Sequence, residues 1–77
     1  MAKLALQGKV TKQGIELKSE AVTIFHDNVV VCRTFTDRHG RFFVADLPTG
    51  SVVVSVGDKD FTVAVTSGQT AEVDALL

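Results

Sequence analysis

The sequence predicts an all-β protein in which residues 1–77 form one domain, a two-layer sandwich of seven short strands. Apolar and polar residues alternate with a period of two along most of the chain, which is the pattern of half-buried strands. Turn-forming Gly, Asp, Asn, Pro and Ser recur roughly every eight to twelve residues. Because a chain of 77 residues builds a single core, the strands must fold over into a sandwich or a small barrel to keep one face dry.

Two polar turns separate the first three predicted strands. The first strand covers residues 4–10 and ends at the segment TKQG of residues 11–14. The second covers residues 21–26. The residues that face inward on it are either Val22 and Ile24 or Ala21 and Phe25, because both pairs are apolar. The third covers residues 29–36 and follows a turn at HDN, residues 26–28, because Asp and Asn tolerate left-handed backbone.

Four further strands are predicted at residues 41–46, 51–56, 61–66 and 70–76. The segments TDRHG, DLPTG, VGDKD and TSGQT carry the Gly, Asp, Pro or Ser that is typical of turns. No segment favours a helix. The side chains expected in the core lie on one parity of each strand: Phe42, Val44, Val52, Val54, Val56, Phe61, Val63 and Val65, faced by Leu4, Leu6 and Leu47.

The composition excludes several kinds of partner. Net charge is −1 and the eight Lys and Arg residues are scattered, so the basic surface that nucleic acid requires is missing. Cys32 is the single cysteine and lies in an apolar run, which predicts a buried, inert thiol with no internal disulfide. We therefore expect no nucleic-acid partner and no cofactor.

The first ten residues, MAKLALQGKV, lack an apolar run long enough for a signal peptide. No segment approaches the ~18 apolar residues of a membrane span, so we expect no membrane insertion. These features favour a cytoplasmic or virion location, or an extracellular one if the chain is a domain excised from a secreted protein.

The segment TDRHGRFFVADLPTG, residues 36–50, holds the densest group of reactive side chains. We interpret its start as a turn in which Asp37 accepts hydrogen bonds from backbone amides and Gly40 supplies a positive φ. Arg38, His39 and Arg41 are then solvated charges. A catalytic His39 would need an orienting carboxylate and a nucleophile, and neither a serine elbow nor a paired cysteine is present. We predict no catalytic residue and no enzymatic activity.

A metal site is also not expected. His26 with Asp27, and His39 with Asp37, supply suitable atoms, but three or four ligands must converge and these loops can lie at opposite ends of a sandwich.

Three segments, with Gly8 before them, resemble carboxypeptidase regulatory-like domains. They are GIELKSEAVTI at residues 14–24, TDRHGRFFVADLPTGSVVVSV at 36–56 and FTVAVTSGQTAEVDALL at 61–77. The most specific part is T-D-x-x-G-x-F followed by D-L-P-x-G. The resemblance implies an Ig-like, transthyretin-like (prealbumin-like) sandwich of Greek-key type, which collagen-adhesin B-type repeats share.

The same resemblance assigns structural roles to particular residues. It implies that Asp37 and Gly40 shape a hairpin, that Phe42 fills the core, and that the chain turns at Leu47, Pro48 and Gly50. The family commonly has an aromatic residue after that glycine, where this chain has Ser51 and Val52. Family members act as spacers, adhesin stalks, starch- or glycan-associated modules and receptor accessory domains, generally without catalysis.

Two ligand or cross-link chemistries of such relatives are less expected here. An isopeptide bond, which some collagen-adhesin B-type repeats form, could use Lys9 and Asp74, but Lys9 lies on the outward parity. Glycan sites favour exposed Trp and Tyr, and all five aromatic residues of this chain are Phe. A glycan site would have to use Phe35 or Phe43.

Excess apolar residues point to a protein interface. The runs VVVC at residues 29–32 and VVV at 52–54 are apolar at both odd and even positions, so both faces of these strands are apolar. Phe43 likewise adds an apolar side chain to the face opposite that of Phe42. We predict an outward patch built from Val30, Phe43 and Val53 that exceeds what monomers tolerate. The alternative is that β-branched residues simply suit strands.

Two functions remain open. The first is a structural protein that acts through protein–protein contacts or as a homo-oligomer, such as a virion surface or capsid decoration protein. The second is a binding or spacer module, glycan-associated in some relatives, excised from a secreted or cell-surface protein.

Overall fold

The computed structural model describes residues 4–77 and is all-β, so the first three residues of the predicted domain lie outside it. No helix in the described part of the chain could span a membrane. Residues 4–77 contain eight strands, which form two four-stranded sheets. Their bounds are β1 Leu6–Lys12, β2 Ile15–Glu16, β3 Ala21–His26, β4 Val29–Phe35, β5 Arg41–Val44, β6 Gly50–Val56, β7 Lys59–Val65 and β8 Ala71–Leu76.

The first sheet is organised around β1. One edge of β1 pairs antiparallel with β5 and then with β2, and its other edge pairs with β8. The β1–β8 pair is parallel and runs from Leu6 beside Ala71 to Thr11 beside Leu76. The second sheet has the antiparallel order β4-β3-β6-β7, so its edges are β4 and β7.

The prediction of seven strands is wrong by one. The segment TKQG is a tight hairpin turn, because Gln13 and Gly14 both have positive φ, 53° and 80°. Both central residues of a type I′ turn need this conformation, and such a turn returns the chain beside its own strand. β1 therefore continues to Lys12, and Ile15–Glu16 pairs back on it as β2.

The predicted turns at HDN and VGDKD are confirmed. Asp27 and Asn28 have φ values of 51° and 64° and join β3 to β4. Gly57, with φ 60°, joins β6 to β7. After β5 the chain crosses through buried Leu47 to Gly50, whose φ is 111°, at the start of β6.

The core lies between the two sheets, and most of the predicted members belong to it. The open question on the second predicted strand is resolved, since Val22 and Ile24 are fully buried and Phe25 faces outward. Phe61, Val63 and Leu4 are only half-buried, because β7 is an edge strand and Leu4 precedes β1. The buried set is Leu6, Val10, Val22, Ile24, Phe42, Val44, Leu47, Val52, Val54, Val56, Val65 and Ala75.

Candidate interaction surface

The TDRHG segment is a turn held by Asp37. One carboxylate oxygen, Oδ1, accepts from the amide of His39 at 2.8 Å and from that of Arg41 at 3.0 Å. The Asp37 amide donates to the carbonyl of Arg41, and the Gly40 amide donates to the carbonyl of Asp37. The backbone hydrogen bonds from Arg41 and His39, then the positive charges of His39 and Arg41, hold the pKa of Asp37 below its usual value of 3.8. The predicted turn role of Asp37 is confirmed, but the expectation of a hairpin is wrong, because β4 and β5 belong to different sheets and the turn carries the chain from one sheet to the other.

Gly40 fixes this turn against the first sheet. Its φ is 73°, and its carbonyl accepts from the Val10 amide at 2.7 Å. A Cβ at this position would lie 2.8 Å from the Val10 carbonyl oxygen. Both the backbone conformation and the close approach therefore require glycine.

The charged residues beside this turn are exposed. Arg38, His39 and Arg41 face solvent. His26 lies on the other sheet, with Nδ1 3.2 Å from the Ser51 carbonyl oxygen and Nε2 3.5 Å from Asp27. Within residues 4–77, no group of three or more His, Cys, Asp or Glu side chains converges as metal ligands would. The sole cysteine, Cys32, is half-buried and packs against the core.

Two of the three predicted interface residues lie together on the outer face of the second sheet. Phe25 on β3 is in register with Val30 on β4 and with Val53 on β6. Cross-strand partners share a face, so Val30, Phe25 and Val53 form one line across three strands. We call these three residues the apolar row. Val30 is 43% exposed, and Phe25 and Val53 are half-buried.

A shallow depression of about 390 Å³ adjoins the apolar row. Phe25 and Val53 supply its apolar wall, and polar groups from the neighbouring turn and strands surround it. The complete lining is Phe25, Asp27, Asn28, Ser51, Val53 and Asp60. The row is thus an apolar centre with a polar border, which is the usual anatomy of a protein contact.

The third predicted interface residue, Phe43, lies on the opposite side of the molecule. It is on β5, in register with Gln7 of β1, and is 49% exposed on the outer face of the first sheet. Because Phe42 points inward between the sheets, Phe43 points away from them. The expectation of one patch containing Val30, Phe43 and Val53 is therefore wrong: the sandwich separates Phe43 from the other two.

The surroundings of Phe43 are polar. It borders a depression of about 350 Å³ that is lined by Gln7, Gly8, Lys9, Arg41, Phe43, Glu72, Val73 and Asp74. Lys9 is in register with Asp74, as an isopeptide bond would require, but its ammonium pairs with Glu16 at 3.2 Å on this open face. The lysine is thus outward, as its parity predicts.

Sequence reasoning missed Phe25 as a member of the apolar row. The two alternatives for the inward face of the second predicted strand, which is β3, already contained this information. If Val22 and Ile24 point inward, Phe25 must point outward. The register of β4 could not be read, because an extra residue on β4 forms a bulge opposite Ile24 and Phe25.

No protein-family model matches this chain, and no curated protein matches it.

Proposed function

We propose that this domain is a non-enzymatic structural protein that acts through protein–protein contacts, with the apolar row as the centre of its contact surface. The observation that carries the proposal is that Val30, Phe25 and Val53 are aligned across three adjacent strands on an outer face. Isolated apolar side chains are common on monomers, whereas contiguous ones rimmed by polar groups mark interaction sites.

The size of the surface favours assembly in many copies. Burying apolar surface contributes about 25 cal/mol per Å², so a few hundred Å² supply several kcal/mol before association costs are subtracted. One such contact is weak, but many identical contacts on a symmetric particle act together. A capsid decoration protein on a virion surface fits this requirement.

We also propose that the sandwich is of the Ig-like, prealbumin-like Greek-key type found in carboxypeptidase regulatory-like domains. Support comes from the residues of the shared motif: Asp37 and Gly40 shape the turn, Phe42 is buried, and Leu47 and Gly50 lead into the next strand. The added β2 hairpin distinguishes this chain from a seven-stranded arrangement.

The experiment that tests the structural role compares Val53→Lys with Thr62→Lys. Thr62 is the exposed partner of Val53 on β7, so the control adds the same charge beside the row without removing an apolar group. Each variant is studied by sedimentation and light scattering, alone and with capsid-shell subunits as the candidate partner. We expect Val53→Lys to abolish association with the shell subunits and Thr62→Lys to retain most of it, with both variants folded.

A wild-type domain that stays monomeric at high concentration and ignores the shell subunits would refute the proposal. So would a Val53→Lys variant that unfolds while Thr62→Lys has no effect on any association, because Val53 would then belong to the core.

A second candidate function rests on Phe43. A half-exposed ring beside Gln7, Arg41 and Glu72 is the apolar surface with polar edge that sugar rings contact. This favours the alternative of a glycan-associated binding module. Titration with oligosaccharides, followed by NMR, checks it: binding that moves Phe43 signals and is lost in Phe43→Ala supports the alternative, and no shift with any glycan class opposes it.

A further inference from the structure

The outer edge of β4 is an apolar edge strand that no strand of residues 4–77 covers. Its seven residues, VVVCRTF, carry one charge, and Phe35 at its end is 67% exposed beside the small side chain of Ala21. Natural proteins usually protect edge strands with charges, proline or a covering loop, because an open edge pairs with another strand.

Beyond the bulge, the backbone groups that this edge presents belong to Arg33 and Phe35. The Thr36 amide donates to the Glu20 carbonyl, so the peptide groups of Thr36 point toward β3. Peptide groups alternate in direction along a strand. Those of Thr34 therefore also point toward β3, and those of Arg33 and Phe35 point to the open edge.

We propose that the β4 edge of a second copy of this chain pairs antiparallel with this edge, about a two-fold axis at Thr34. The second sheets of the two copies then form one continuous sheet. The inference rests on the proposed function, a domain that works through protein contacts, and it names the partner. In this register Arg33 lies opposite Phe35 of the second copy, and each such pair exchanges two backbone hydrogen bonds.

Two observations favour this register over those with the axis at Arg33 or at Cys32. A two-fold axis at Arg33 would place two guanidinium groups directly opposite each other, which is destabilising. An axis at Cys32 would carry the pairing through the extra residue of the β4 bulge, where the strand is bent. The axis at Thr34 uses only the regular part of β4 beyond the bulge.

The side chains around this axis complement one another. Arg33 has no ion-pair partner among the described residues, and Phe35 has an open ring face. Pairing lays the guanidinium of Arg33 against the Phe35 ring of the second copy, an arrangement in which arginine and an aromatic ring attract. The contact occurs twice by symmetry, so the one charge on the strand favours self-pairing.

A charge exchange tests the register. Phe35→Lys places a cation opposite Arg33 of the second copy, and we expect the dimer dissociation constant, measured by sedimentation, to rise at least tenfold. Phe35→Glu places an anion there, and we expect dimerisation at least as tight as in the wild type and weakened by salt. The double variant Arg33→Glu with Phe35→Lys is expected to restore dimerisation. Circular dichroism verifies that each variant is folded.

Cross-linking provides a readout that does not depend on charge. Thr34→Cys in a Cys32→Ala background brings two thiols together at a pair about 4.5 Å apart between Cα atoms, so we expect an oxidised dimer. In the wild type the two Cys32 residues are four positions out of register, roughly 14 Å apart, and we expect no cross-link.

Three results would each overturn the proposal. The first is an equal change in dimerisation from Phe35→Lys and Phe35→Glu. The second is a wild type that cross-links through Cys32 while the Thr34→Cys variant does not cross-link. The third is a wild type that is monomeric at the highest concentration measured. Failure here is distinct from failure of the proposed function. Val53→Lys changes the apolar row and leaves the β4 edge intact, so each surface is tested by its own variants.

Discussion

The ring of Phe42 occupies the space that a side chain at position 8 would need. Gly8 and Phe42 are paired residues on β1 and β5, and a Cβ on Gly8 would overlap the ring and contact Val73. We expect Gly8→Ala to lower the free energy of unfolding by about 1 to 3 kcal/mol, because overpacking forces a core ring out of place. Urea denaturation checks it.

The double variant Gly8→Ala with Phe42→Leu separates overlap from backbone effects. If the overlap is the cause, the loss from the double variant is smaller than the sum of the single losses. Additive losses would show that the ring is not the obstacle.

Replacement of Gly40 is expected to destabilise more than replacement of Gly14. Both have positive φ, but a Cβ at Gly40 would meet the Val10 carbonyl, whereas nothing lies within 4 Å of a Cβ at Gly14. Gly14→Ala carries only the left-handed strain of about 1 to 2 kcal/mol. Gly40→Ala adds the steric term, and Gly40→Val, with its branched side chain, adds more. Equal losses in thermal or urea unfolding would contradict the close approach.

Thr36 is a buried hydroxyl whose loss leaves two backbone groups unsatisfied. Its Oγ1 donates to the Leu17 carbonyl at 2.6 Å and accepts from the Glu20 amide at 2.8 Å. We expect Thr36→Val, which keeps the shape, to lower the free energy of unfolding by about 1 to 3 kcal/mol. Thr36→Ser keeps the hydroxyl and is expected to lose less. A valine variant as stable as the wild type would refute this role.

The ionised carboxylate of Asp37 contributes stability that depends on pH. Its folded-state pKa lies below the unfolded value of 3.8, so the contribution is present above 3.8 and is lost as pH falls through the folded-state pKa. We expect the stability difference between the wild type and Asp37→Asn to be constant near neutral pH and to shrink below 3.8. Asp46→Asn, at an exposed aspartate outside the turn, is the control. A difference that does not change with pH would show that the charge is not involved.

Much of the fold could be predicted from the sequence because each strand carries its own pattern. The alternation at residues 51–56 identifies both the strand and its buried valines, and the structure confirms both. The turn at Asp27 and Asn28 could also be predicted locally, because Asp and Asn tolerate the left-handed backbone that both residues adopt. The hairpin at Gln13 and Gly14 was missed because a two-residue strand is too short to show a period.

The positions of the outward apolar side chains were harder to predict, because they depend on which sheet each strand joins. Parity shows that Phe43 and Val53 both face outward, but β5 pairs with β1 and β6 pairs with β3. Only this pairing places the two residues on opposite faces. Phe25 joins the apolar row for the same reason, through pairs with Val30 and Val53 on either side.

The parallel pairing of β1 and β8 determines how the domain responds to mechanical tension. The ladder from Leu6 beside Ala71 to Thr11 beside Leu76 lies along the line between the start of β1 and the end of β8. Tension applied at those two points loads the rungs of the ladder in shear, all at once, instead of unzipping them one by one. A domain held at one end by an anchor and at the other by a load therefore resists extension through its first and last strands.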